Sequence, residues 1–136
     1  MRHIVLGLLL VVPAAVQAQA EAMPMPTGKQ VCSMIASVIS IRVVDTGGHP
    51  VPNATVRITR LRNGKFLGDA QEMGGGSGEF AIVESSAISW VGPHGERIRV
   101  AARAGSKAAV GVVRVGRDPT GCRLAKVGGP DVLTLK

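Results

Sequence analysis

Arg97-Ile98-Arg99-Val100-Ala101-Ala102-Arg103 alternates charged and apolar residues almost without a break. A β-strand sends successive side chains to opposite faces. Ile98, Val100 and Ala102 therefore fall on one side, and Arg97, Arg99 and Arg103 on the other. The stretch reads as a half-buried strand with a cationic outer face. Val38-Ile39-Ser40-Ile41-Arg42-Val43-Val44-Asp45 repeats the pattern, with Ile39, Ile41 and Val43 inward and Ser40 and Arg42 outward. Ala54-Thr55-Val56-Arg57-Ile58-Thr59 does so again, with Ala54, Val56 and Ile58 inward and Arg57 outward. The phase slips at Leu61, which predicts a bulge or a strand end near Arg60.

The spaces between these runs carry turn chemistry. Thr46-Gly47-Gly48-His49-Pro50 is a turn, and Pro50 and Pro52 forbid a helix across it. Asn63-Gly64 predicts a tight hairpin into Lys65-Phe66-Leu67. Gly74 to Gly78 makes a second turn before Glu79-Phe80-Ala81-Ile82-Val83, and Gly105-Ser106 leads into Lys107 to Val115. Val132-Leu133-Thr134-Leu135 gives a last short strand. After the N-terminal segment, no window of eleven or more residues keeps a helical apolar stripe. The expected fold class is all-β, an antiparallel β-sandwich of about seven strands.

The chain has 136 residues, enough for one domain, with 16 Lys and Arg against 9 Asp and Glu. At 46% hydrophobic residues it is too apolar for a disordered chain, and its 18 glycines lack a collagen period. Arg2 and His3, the apolar run Ile4 to Val12, Pro13 and then Ala18-Gln19-Ala20 form a cleavable export signal over residues 1–20. The run is shorter than the roughly 20 residues that cross a bilayer. The expected product is secreted or periplasmic, with no stable membrane insertion after cleavage. Residues 21–37, with Pro24, Pro26 and Gly28, read as a leader and the start of the first strand, and residues 38–136 as the domain.

Export also decides how the two cysteines read. In an oxidising compartment Cys32 and Cys122 are expected to form one disulfide, tying the first element to the last. In the chain-entropy model such a closure is worth about 4–5 kcal/mol. A redox pair needs Cys-x-x-Cys and a zinc site four suitably spaced ligands, and neither pattern is present.

Val43-Val44-Asp45-Thr46-Gly47-Gly48-His49-Pro50-Val51-Pro52-Asn53-Ala54-Thr55-Val56 resembles the opening of carboxypeptidase regulatory-like domains. Gly78-Glu79-Phe80 is similar to that family's Gly-x-Phe strand start, and Arg99 to Gly105 to its penultimate strand. The likeness spans about Ser40 to Val115. It implies a transthyretin-like, immunoglobulin-type sandwich serving as a noncatalytic stability, adhesion or binding unit. Asn53 stands where the family has Gly, as a residue tolerant of a left-handed backbone. Met73-Gly74-Gly75-Gly76-Ser77 and Ser106 depart from the family pattern.

Catalytic chemistries fare poorly. The family's hydrolase relatives use His, Arg and a C-terminal Tyr-Arg-Gly-Ser, whereas this chain has no Tyr and ends Asp131-Val132-Leu133-Thr134-Leu135-Lys136. Neither His49 nor His94 begins a His-x-x-Glu zinc pair, and both sit in Gly/Pro turns. Ser85, Ser86 and Ser89 lack a nucleophile elbow, and Gly74 to Gly78 lacks the Lys-Ser/Thr and helix of a phosphate cradle. Asn53-Ala54-Thr55 matches a glycosylation sequon that a turn also explains.

The expectation is therefore an enzyme-free binding or scaffolding module of the cell envelope, without cofactor or metal. It would present the loops Thr46 to Pro52, Gly74 to Gly78 and Val91 to Glu96. The candidate surface is Arg42, Arg57, Arg97, Arg99 and Arg103, with Trp90 as a sugar platform in a carbohydrate-binding alternative. Its partner would be another envelope protein or an acidic polymer or carbohydrate. With three aromatic residues in all, nucleic acid is a poor fit. An ordinary solvated basic face neutralised by neighbouring carboxylates remains the bland alternative, and a transthyretin-like hydrolase the third.

Overall fold

A computed structural model describes residues 37–136. The expected signal peptide, nearly all of the leader and Cys32 lie outside the described residues. The described part is all-β, with nine strands in two sheets: β1 (Val38–Val44), β2 (Thr55–Arg60), β3 (Phe66–Asp69), β4 (Gln71–Glu72), β5 (Glu79–Glu84), β6 (Glu96–Ala104), β7 (Lys107–Arg117), β8 (Leu124–Gly128) and β9 (Val132–Thr134). A 3-10 helix over Ser85–Ser89 follows β5. One sheet runs β4-β5-β1-β9 and the other β3-β2-β6-β7-β8.

Side chains from both sheets enclose one aliphatic core. Ile39, Ile41, Val43, Phe80 and Leu133 come from the first sheet, and Val56, Ile58, Ile98, Val100, Val113, Val115 and Leu124 from the second. Burial of each such side chain stabilises by about 1.5–3 kcal/mol. The inward sets expected for β1, β2 and β6 are buried, apart from Ala54, which packs half-buried at the margin. Between β1 and β5 the register shifts at Ile39/Ser40, leaving Ile82 as an extra residue. Ile82 and Val83 are thereby both buried although adjacent, as a bulge permits.

The slip expected near Arg60 resolves into two features. β2 ends at Arg60 and leaves Leu61 exposed, while a register shift at Ile58/Thr59 makes Leu67 the extra residue in β3. Strands β4 and β8 exceed the expected seven. Gln71–Glu72 is too short to show periodicity, and β8 hides its alternation because its pairing with β7 shifts past Val127. The pairing of β1 with β9 is parallel, so the sandwich is antiparallel in most but not all of its ladders. Leu135 N–H donates to Val44 O and Lys136 exchanges backbone hydrogen bonds with Ala108, joining the last residues to both sheets.

The turn after β1 is organised by a side chain rather than by an asparagine backbone. Asp45 Oδ1 accepts from the N–H groups of His49 and Gly47, both at 2.9 Å. The His49 N–H above all, and then that of Gly47, holds the Asp45 carboxyl below its usual range. The turn is therefore held most firmly where the carboxylate is ionised and loosens as pH falls through that lowered value. Asn53 is not left-handed: every described residue with positive φ is a glycine. The one that matters here is Gly78, at φ 67°, where an added Cβ would meet Val43 O at 2.7 Å. Its carbonyl in turn accepts from Val43 N–H, so the β5 start and the end of β1 close on each other.

Alternation along the long strands sets opposite costs on the two faces. Ile98→Ala is expected to destabilise the domain by about 2–5 kcal/mol and Val110→Ala by under about 0.5 kcal/mol, measured by chemical denaturation. Ile98 is fully buried, whereas Val110 is about half exposed.

Candidate functional site

Two adjoining features gather charged side chains: the outer face of the five-stranded sheet and the end of the sandwich where β6 begins. On the outer face, β6 presents Arg97, Arg99, Ala101 and Arg103 in sequence. Thr55, Arg57 and Thr59 of β2 lie opposite Arg103, Ala101 and Arg99. Ala108, Val110, Val112 and Arg114 of β7 lie opposite Arg103, Ala101, Arg99 and Arg97. The small Ala101 thus sits between Arg99 and Arg103 with Arg57 beside it, in a shallow groove of about 450 Å3 that Val110 and Ala108 also line.

The charges on this face are unequally matched. Arg57 is 3.8 Å from Asp69 and lies over the Phe66 ring at 4.8 Å. Both partners of that ion pair are well exposed, so solvent screens it. Among the described residues no carboxylate comes within 4 Å of the guanidinium of Arg97, Arg99, Arg103 or Arg114. Neutralisation by neighbouring carboxylates therefore reaches Arg57 and stops there. Lys126, by contrast, is held by Pro130 O and the Asp131 carboxylate.

Arg42 does not join this face. It lies in β1 of the other sheet, opposite Glu79 and Val132, so the expected five-arginine stripe is reduced to Arg57, Arg97, Arg99 and Arg103. Arg114 belongs with them and was obscured in the sequence. Its outward neighbours Val110 and Val112 are apolar, which masks the parity of β7.

Trp90 is likewise elsewhere, in the segment after the 3-10 helix at the end of the sandwich. Its ring packs half-buried against the core and carries the Arg60 guanidinium at 4.9 Å from its centroid. Arg60 Nη2 also donates to Trp90 O at 2.6 Å. With one ring face covered by a cation, Trp90 is a structural residue here rather than an open platform for a sugar. The loop expected to display Val91 to Glu96 is in fact anchored at both ends. Val91 is fully buried with its carbonyl accepting from Arg117, and Glu96 is buried.

Glu96 is the charged residue that sequence reading missed. It shares inward parity with Ile98 and Val100, and Arg60 shares that of Val56 and Ile58. Arg60 Nε lies 3.1 Å from Glu96 Oε1, off the hydrogen-bonding angle, and Nη2 reaches Oε2 at 3.4 Å. The Arg60 and Glu96 side chains are 12% and 5% exposed, so this ion pair is largely removed from water. Arg62, mostly exposed, approaches the same carboxylate at 3.6 Å. At this end Arg62, His94, Gly95, Glu96, Arg97 and Arg114 line a cleft of about 600 Å3 walled by Val115 and Val127.

The cleft brings a His, arginines and a carboxylate together, the combination a hydrolase site requires. No hydrogen bond joins His94 to Glu96, whose carboxylate is engaged by Arg60 and Arg62, so the pair is not arranged as base and orienting acid. Among the described residues no group of three His, Cys, Asp or Glu is placed to hold a metal ion. Cys122 is no free thiol. Its turn is organised by Asp118, whose Oδ1 accepts from Thr120 Oγ1 at 2.6 Å. That hydrogen bond is the main cause holding the Asp118 carboxyl below its usual range. The expected pairing of Cys122 with Cys32 involves a residue outside the described ones.

No family model, curated protein or solved structure matches the chain. The class therefore rests on architecture: an all-β domain of two antiparallel-rich sheets around one core.

Removing one partner of the buried ion pair strands the other. Glu96→Ala is expected to cost about 3–5 kcal/mol, while Arg60→Met combined with Glu96→Leu recovers most of that loss, measured by urea denaturation.

Proposed function

We propose that this chain is an exported, noncatalytic module of the cell envelope, an immunoglobulin-like or transthyretin-like sandwich of carboxypeptidase regulatory-like type, that binds an acidic polymer. The observation carrying the reading is the set of exposed arginines on the five-stranded sheet that have no carboxylate partner among the described residues: Arg97, Arg99 and Arg103. Guanidinium groups present planar donor forks that match carboxylate and phosphate oxygens. A sheet face that carries its cations in a row suits an extended, repeating ligand better than a compact one. Export follows from the segment at residues 1–20, and the proposed Cys32–Cys122 disulfide suits that compartment. Aligned cations on a rigid sheet raise the local concentration of polyanions and speed their association.

The arrangement favours a polymer over a sugar platform, because Trp90 is on the sandwich end and already covered by Arg60. It also favours binding over hydrolysis, because the carboxylate nearest to His94 in the cleft is committed to arginines.

Fluorescent poly-glutamate titrated by anisotropy tests the reading. The wild-type chain is expected to bind with affinity that falls steeply as salt rises. Arg99→Gln with Arg103→Gln is expected to weaken binding at least tenfold, about 1.4 kcal/mol, with unchanged thermal stability. Binding that is indifferent to both substitutions contradicts the proposal.

A further inference from the structure

Arg97 and Arg114 are directly opposite each other on neighbouring antiparallel strands. Side chains so placed have Cβ atoms about 4.5–5.5 Å apart, and like charges there repel. Among the described residues, neither has a carboxylate within 4 Å. The pair lines the cleft at the sandwich end together with Arg62 and His94. The carboxylate in the same cleft, Glu96, is buried against Arg60 and also approached by Arg62, so it does not balance the pair.

The backbone fixes this arrangement. Gly95 has φ 78° and an added Cβ there would lie 2.7 Å from Val115 O, so the chain carrying His94 and Glu96 is pressed onto β7. The Arg114 stem lies along Gly128, with Cδ 3.6 Å from where a Cβ would stand. The register shift at Arg114/Val115 leaves Val127 as the extra residue of β8, half exposed at the cleft.

We propose that this cleft is a site for a phosphate monoester, with the phosphate dianion bridging Arg97 and Arg114. Two unmatched guanidinium groups call for two negative charges. A phosphate monoester is largely dianionic at neutral pH, its second pKa being about 6, whereas a carboxylate or phosphodiester brings one. Arg62 and the exposed imidazole of His94 stand at the rim as further donors. A volume of about 600 Å3 exceeds what a bare oxyanion fills and lies in the range of small-ligand sites, which leaves the half-exposed Val127 to pack the group that carries the phosphate. The site goes beyond the acidic-polymer reading and does not need Arg99 or Arg103.

The test is an NMR titration of the full processed chain with inorganic phosphate and, separately, glycerol phosphate. Saturable shifts at the Gly95, Glu96, Arg114 and Val115 amides are expected with both. Tighter binding of glycerol phosphate is expected and supports the monoester, whereas equal or weaker binding than inorganic phosphate overturns the assignment of an ester ligand. Arg114→Gln is expected to weaken either at least tenfold while the thermal midpoint in phosphate-free buffer holds or rises, because a like-charge pair is relieved. Arg99→Gln with Arg103→Gln is expected to leave phosphate binding unchanged, so failure of the polymer reading and failure of this site give different results. Absence of saturable shifts with both anions in the millimolar range, or Arg114→Gln binding like the wild type, overturns the site.

Discussion

Because β6 is the middle strand of the five-stranded sheet, with β2 on one side and β7 on the other, its two-faced sequence constrains both neighbours. Ile98, Val100 and Ala102 must leave water, and their burial holds the inner face against the strands of the opposite sheet. Once that face is fixed, a period of two residues leaves Arg97, Arg99 and Arg103 no position except the outer surface. Register then aligns Arg57 with Ala101 and Arg114 with Arg97. The cationic surface is thus a consequence of how the core is buried, and a one-residue slip of β6 would move its arginines into the core.

Where the same parity reaches the end of the sheet, it carries charge inward. Arg60 and Glu96 continue the inward rows of β2 and β6 past the last apolar residues, and they are tolerated because each meets the other. Their mutual neutralisation also holds the segment after the 3-10 helix in place, through the Arg60 contacts with Trp90. Breaking either charge therefore costs both packing and position. The pair owes its burial to location, since the residues next to it in space come from strands distant in sequence.

Much of this was legible where alternation is strict. The inward sets of β1 and β6 and the end of β2 at Arg60 follow from side-chain period alone. Asn63-Gly64 does mark the hairpin, but not as a tight two-residue turn, because Arg60 N–H donates to Lys65 O across a longer loop and Asn63 is not left-handed. What was not legible depends on pairing between segments far apart. Arg42 has the same outward parity as Arg99, yet only the sheet order puts it in the other layer. The parallel β1–β9 ladder and the bulge that turns Val127 outward depend on tertiary register rather than on local pattern. The sequence does not reveal that Trp90 is covered, because the cation over its ring comes from thirty residues upstream. Arg114 lay hidden among outward valines, where apolar residues on both faces of β7 erase the period.

Strand parity divides the arginines into a surface set and a buried one. Arginine-selective labelling with phenylglyoxal, read site by site by mass spectrometry, tests it directly. Arg99, Arg103 and Arg114 are predicted to react quickly and Arg60 slowly until the chain is unfolded. Labelling of Arg60 as fast as that of Arg99 in the native protein would contradict the account.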